Sequence, residues 1–289
     1  MKKFIIIALI FFSLSIGADV HAEKIKVIAS IAPLADFVKQ IGGTYVEVHL
    51  LLPPGASPHI YEPTPKVISA IADARLFVKV GAGLEFWAEK IIQASDNKNL
   101  LVVIASSGIP LLHETHTHLP SEADPHIWLD PLIARDIVTK IEKALVTIDP
   151  HHAELYRANA LVYREKLSQL DREISEKVTT FKIKEYVTFH PAWNYFSKRY
   201  GLSVAGVIEE SPGKEPSPKH IAQIIKSINR IGSRVVFVEP QFNPKIAEAV
   251  ARECHAQIAF LDPIGGQKGR ETYVDLMRYN ISAMERVMK

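Results

Sequence analysis

Cysteine is nearly absent from this chain: Cys254 is the only one in 289 residues. An internal disulfide is therefore impossible, and stability must come from a buried core, for which this length permits one large or two medium domains. The lone thiol reads as a small buried hydrophobe. Long apolar runs are also missing, since a bilayer-spanning helix needs about 20 apolar residues and none is present. The nearest, Phe4 to Ile16, follows Met1-Lys2-Lys3 and precedes Val20-His21-Ala22. That is the layout of an export signal, with cleavage expected after Ala22. A bacterial lipid anchor would need a cysteine at the cleavage site, so the expectation is a periplasmic protein without one. Clustered basic residues are absent and formal net charge is only +2, which argues against nucleic acid as a partner. There is no G-x-x-x-x-G-K-[ST], so the chain does not hydrolyse ATP through a P-loop, and no H-E-x-x-H.

Hydrophobic residues make up 47% and charged residues 23%, the balance of a folded globular chain. From Lys24 onward, strand-like segments alternate with helix-like ones. Ile25 to Ala29, Val46 to Leu52, Leu76 to Val80 and Leu101 to Ile104 read as strands. Leu34, Phe37, Val38 and Ile41 follow helical spacing, as do Ile133, Ile137 and Ile141. Gly83 to Ala94 reads as helix, and Thr64-Pro65, Asp130-Pro131 and Ser217-Pro218 as capped helix starts. A second set of strands is expected at Tyr186 to Phe189, Arg234 to Val238 and Ile258 to Leu261. This alternation predicts an α/β fold of two lobes, each a parallel sheet flanked by helices.

Between the lobes, Pro150 to about Thr179 contains no glycine and no internal proline. Tyr156, Ala160, Tyr163, Leu167, Leu170, Ile174 and Val178 recur at spacings of four and three. One unbroken helix of about 30 residues would be roughly 45 Å long. The expected organisation is a signal peptide over 1–22, an N-terminal lobe over 23–149, a rigid linking helix over 150–180 and a C-terminal lobe over 181–289.

The chemistry lies where strands end, because open α/β sheets bind ligands beyond their strand carboxyl ends. The loop P-P-G-A-S-P-H delivers His59. D-P-H-I-W-L-D presents His126 from a proline-stiffened turn against an aromatic wall. His190-Pro191 and Asp262-Pro263 follow strands in the second lobe. Three imidazoles and one carboxylate form a four-donor set suited to tetrahedral zinc, while manganese prefers more oxygen and stands second. Each imidazole's other nitrogen should meet an acceptor. Metal affinity should fall as pH drops through about 6.5, since the ligating histidines must be deprotonated. Upstream of His126, the run containing His113, His116 and His118 reads as a short auxiliary metal-collecting loop or as a solvated surface loop.

Read together, P-P-G-A-S-P-H-I-Y-E-P, D-P-H-I-W-L-D-P, T-F-H-P-A-W-N-Y-F, E-P-S-P-K-H-I-A, V-F-V-E-P-Q and L-D-P-I-G resemble the metal-binding solute receptors of ABC importers, the ZnuA/TroA-like (cluster A-I) family. The resemblance runs in order through the mature chain. It implies two lobes joined by a long helix and a divalent metal held between them. It also implies delivery to a membrane permease driven by a separate ATPase subunit. The receptor itself is expected to be a monomer. His59, His126, His190 and Asp262 fall on the family's ligand positions. Manganese members carry glutamate where this chain has His190, so it resembles the zinc group, though with a short histidine loop and without the paired cysteines some members have. The rival reading is a secreted zinc hydrolase using Glu209, Glu210 or Glu239 as base. It is disfavoured because a catalytic zinc keeps three protein ligands and an open water position. No enzymatic activity is expected.

Overall fold

In a computed structural model, the described residues are 23–113, 123–211, 213–231 and 235–289. The expected signal peptide over 1–22, His116 and His118 of the histidine run, and Arg234 of the sixth expected strand lie outside them.

Two four-stranded parallel sheets organise the protein. The first contains β1 (Ile25–Ala29), β2 (Val46–Leu50), β3 (Leu76–Lys79) and β4 (Leu101–Ile104) in the order β2-β1-β3-β4. The second contains β5 (Glu185–Thr188), β6 (Ser203–Val207), β7 (Val235–Val238) and β8 (Gln257–Phe260) in the matching order β6-β5-β7-β8. β1 registers with both neighbours through Val27, paired with Val48 and with Leu76. Strand β6 is missing from the sequence reading. Its Ala205-Gly206 centre breaks the apolar run, and packing against Ile224, whose Cδ1 would lie 2.9 Å from a Cβ at Gly206, requires a residue without a side chain there.

Helices cover both faces of each sheet, as buried parallel strands require. On the outer face of the first sheet, α2 (Pro65–Ala72), α3 (Ala88–Ser95) and the Trp87 that precedes α3 pack Ile71, Ile91 and the indole onto Ile28 and Phe77. On the outer face of the second, α7 (Pro218–Ile231) and α8 (Lys245–Cys254) pack Ile224, Ile228 and Val250 onto Val187, Val236 and Val238. The inner faces share one continuous core. It unites α1 (Ala32–Gly42), α4 (Pro131–Ile148), α5 (Ala153–Thr179), α6 (Asn194–Tyr200) and α9 (Tyr273–Met288), and includes Trp128, Tyr156, Trp193 and Tyr273.

The long helix is shorter than its pattern suggests. Pro150–His152 forms a 3-10 turn and α5 proper runs from Ala153 to Thr179, about 40 Å at 1.5 Å per residue. The break has a local cause: Asp149 Oδ2 accepts from Tyr156 Oη at 2.6 Å and lies 2.6 Å from His152 Nδ1, which folds the junction back on itself. His152 is therefore engaged in this turn, with its ring 3.8 Å from that of Tyr45, while His151 is exposed. All seven apolar residues of the expected stripe, Tyr156 to Val178, are buried on one face of α5.

Helix starts differ in how they are capped. Asp130 accepts from the Leu132 and Ile133 amides, and Ser217 Oγ accepts from His220 N. Thr64 makes no side-chain cap bond; Pro65 alone starts that helix. Gly83 to Trp87 is a series of turns, and helix begins only at Ala88. Gly81, Ala82 and Gly83 all have positive φ, and the Glu85 carboxylate accepts from the Val80 and Gly81 amides at 2.8 and 2.9 Å. Those bonds hold the backbone in a clamp that a helix could not share.

Candidate metal centre

Three imidazoles converge where the carboxyl ends of the two sheets face each other. His59 arrives on the loop after β2, His126 on the turn leading to the 3-10 segment Ile127–Leu129 and α4, and His190 two residues past β5. One nitrogen from each lies within 4.8 Å of the others. The Nε2 atoms of His59 and His126 are 3.2 Å apart. Two zinc ligands at their usual bond length and a tetrahedral angle would be about 3.3 Å apart, so the pair already has a ligating separation. Ser57, Pro58, Gln241, Phe242, Pro263 and Ile264 complete the lining.

Acceptors stand behind two of the three rings. Asp124 Oδ1 lies 2.8 Å from His126 Nδ1 and also accepts from the His126 amide at 2.9 Å, while its Oδ2 accepts from Asn194 Nδ2 at 3.0 Å. With Nδ1 donating to Asp124, His126 turns the lone pair of Nε2 towards His59. Glu239, fully buried, places Oε1 3.1 Å from His190 Nδ1, close but without a hydrogen bond between them, and accepts from Trp193 Nε1 at 3.2 Å. Phe242 packs on the His190 ring at 4.9 Å.

The surroundings favour neutral imidazole. Burial, followed by the charges of His126 and His190, holds His59 well below the ordinary histidine range. Burial also lowers His126, although Asp124 opposes it. Neutral imidazole is the form a metal binds. Glu209, a candidate base in the rival hydrolase reading, is buried and accepts from Gly213 N at 2.6 Å; burial pushes its carboxyl up.

Asp262, placed with the histidines by sequence, is fully buried but outside the three-imidazole group. Its Oδ1 accepts from Gln241 Nε2, Ile264 N and Gly265 N at 2.9, 3.0 and 3.0 Å. Asn280 takes both backbone groups: its Oδ1 accepts from Asp262 N and its Nδ2 donates to Asp262 O. Oδ2 accepts no hydrogen bond and faces Arg270 Nη1 at 3.2 Å. Arg270 belongs to no motif and is invisible to spacing arguments. Asp124 could have been found, since a carboxylate two residues before a candidate ligand histidine can reach the far nitrogen of its ring. His113 of the auxiliary run forms an isolated antiparallel bridge with Ala123 and is not in the three-imidazole group.

Two matched parallel sheets, a long helix in the core they share, and three clustered imidazoles, His126 and His190 buried and His59 half-buried, define a two-lobed fold with a candidate metal site. The chain belongs to the family described as zinc-uptake complex component A, periplasmic, whose model matches residues 27–287. It is 32% identical to the high-affinity zinc uptake system protein ZnuA of Bacillus subtilis, over 93% of this chain and 89% of that protein. It is 30% identical to the zinc-binding protein AdcA of Streptococcus pyogenes, spanning 98% of this chain but only 61% of AdcA. The fold matches a zinc-bound crystal structure of a ZnuA deletion mutant with a TM-score of 0.84 and 29% identity, covering 92% of this chain and 99% of the other.

Proposed function

We propose that the protein is the extracytoplasmic receptor of a zinc importer. It captures Zn²⁺ as cargo with His59, His126 and His190, and hands it to a membrane permease driven by a separate ATPase subunit. Asp262 is the fourth donor. The observation that carries this reading is the convergence of three imidazole nitrogens within 4.8 Å, a nitrogen-rich set that suits zinc better than manganese. Asp124 orients the His126 ring from behind, and the Glu239 carboxylate stands behind His190. The receptor acts as a monomer and carries no catalytic activity of its own. Export follows from residues 1–22, with cleavage after Ala22. Among the described residues no helix is long and apolar enough to cross a membrane.

Competition binding to the purified, metal-stripped mature protein tests the proposal. Zinc should bind tightly enough to resist displacement by excess manganese, and replacing any of the three histidines with alanine should weaken it. Equal binding of both metals would turn the reading to a manganese or broad divalent-metal receptor. Hydrolytic activity in the zinc-loaded protein would turn it to an enzyme.

A further inference from the structure

We infer that Arg270 sets metal preference by holding the site's fourth donor. This deepens the zinc-receptor reading and rests on it. Asp262 has one oxygen saturated by three donors and one, Oδ2, without a hydrogen bond. Oδ2 is thus the carboxylate oxygen left to give a metal, and Arg270 Nη1 stands 3.2 Å from it. The three imidazoles form a cluster without Asp262. A metal held by that cluster must therefore compete with a guanidinium for the Asp262 oxygen.

Arg270 is built to stay where it is. Its guanidinium lies 4.6 Å from the centre of the Tyr279 ring and its Nη2 donates to Gln267 Oε1 at 2.8 Å. The backbone closes the same loop, with Gly266 N donating to Arg270 O and Arg270 N to Gln267 O, each at 2.8 Å. Gly265 has φ +71°, and a Cβ there would meet Arg270 O at 3.0 Å, so the loop needs glycine to close around the arginine.

The consequence differs between metals. Zinc is content with imidazole nitrogen in tetrahedral geometry, whereas manganese depends more on carboxylate and other oxygen donors. Occupying Asp262 with an arginine therefore costs manganese more than zinc. Arg270 acts through Asp262 and touches no metal in this scheme, which makes it a positioning residue for specificity.

The test measures Zn²⁺ and Mn²⁺ dissociation constants for metal-stripped wild-type protein, Arg270→Gln, Arg270→Met, and Arg270→Gln combined with Asp262→Asn. Removing the arginine should tighten manganese relative to zinc by about tenfold, the scale of coupling between contacting groups. Both single variants should show the shift, and the double variant should lose it. A clasp that only pins the loop would lower the melting temperature of the metal-free protein and leave the zinc-to-manganese ratio unchanged. An unchanged ratio in both single variants, or a shift that survives loss of the Asp262 carboxylate, overturns the inference while leaving the receptor reading intact. Failure of the wild-type protein to bind zinc overturns the receptor reading itself and this inference with it.

Discussion

Trp128 Nε1 donates to the carbonyl oxygen of Pro263 at 2.7 Å, joining residues 135 positions apart. Trp128 lies two residues after His126 and Pro263 one residue after Asp262, so this bond ties the His126 turn of the first lobe to the Asp262 turn of the second. The thread continues inward: Tyr273 Oη donates to Trp128 O at 2.7 Å, and Asp36 Oδ2 accepts from Tyr273 N at 2.9 Å and Tyr163 Oη at 2.7 Å. Helices α1, α5 and α9 are thereby connected to the metal centre through buried hydrogen bonds. With one hydrophobic core common to both lobes, that network opposes a wide hinge opening between them.

Trp128→Phe keeps the aromatic wall and removes only the donor. The buried Pro263 carbonyl then loses its partner, which costs about 1–3 kcal/mol. Denaturant unfolding of the metal-free protein should show that loss. Zinc affinity should fall too, because the two ligand turns are no longer fixed to each other. A variant as stable as wild type would mean another donor reaches the carbonyl.

Asp124→Asn tests the support behind His126. The amide can still accept from the His126 backbone amide, but it no longer presents a charged acceptor to Nδ1. Loss of such a partner behind a metal-bound histidine typically weakens binding by about 10–100-fold. Calorimetric titration with zinc should show this with little change in fold by circular dichroism. Wild-type affinity would show that the ring is oriented by packing against Trp128 instead.

Much of this architecture was legible because it is periodic. The stripe from Tyr156 to Val178 repeats at helical spacing, and all seven of its residues are buried. The turns carrying His59, His126 and His190 were found because each pairs a histidine with prolines at a strand end or loop. What escaped lacks period or depends on distant partners. Strand β6 is too small-sided at Ala205-Gly206 to read as apolar. The turn at Gly83 depends on Glu85 reaching back to two amides. Glu209 is buried with its carboxylate on the Gly213 amide, and Arg270 reaches Asp262 through a glycine-rich loop whose closure no local pattern announces.

Leu167→Ala should separate the stability of the long helix from metal binding. Leu167 is completely buried in the core common to both lobes, so truncation removes apolar contact and leaves a cavity worth about 2–5 kcal/mol. Chemical denaturation should record a loss in that range. Zinc saturation should recover part of the melting temperature, since a ligand bound only to the native state stabilises it. No gain on adding zinc would contradict a preformed site.

His190→Glu exchanges a nitrogen donor for oxygen while keeping a side chain that could reach the cluster. It also places a second acid beside Glu239, which stands 3.1 Å from His190 Nδ1. Zinc should weaken and manganese should gain relative to it, since manganese favours carboxylate ligands. Competition between the two metals measures the exchange. Unaltered preference would mean that the third donor does not decide selectivity.

The histidines also set how the protein responds to acid, and the structure moves the expected threshold. Burial lowers His59 well below its ordinary 6.5 and lowers His126 in the same direction. Protons therefore compete with zinc only at lower pH than free imidazole would suggest, so zinc affinity should hold at pH 6.5 and decline further down. Folding responds sooner. A group with a lower pKa when folded takes up its proton first in the unfolded chain, so the metal-free protein should lose stability as pH falls from about 6.5 towards the lowered native values. Above that window both states are neutral and these histidines contribute no slope. Glu85 and Glu209, whose carboxyls are raised by burial, push the other way as pH falls, so the comparison must be with His59→Gln measured over the same pH series. The difference between wild-type and variant stability should grow in the variant's favour below pH 6.5 and stay constant above it. A difference independent of pH would show that His59 is solvated and freely titrating in the metal-free protein.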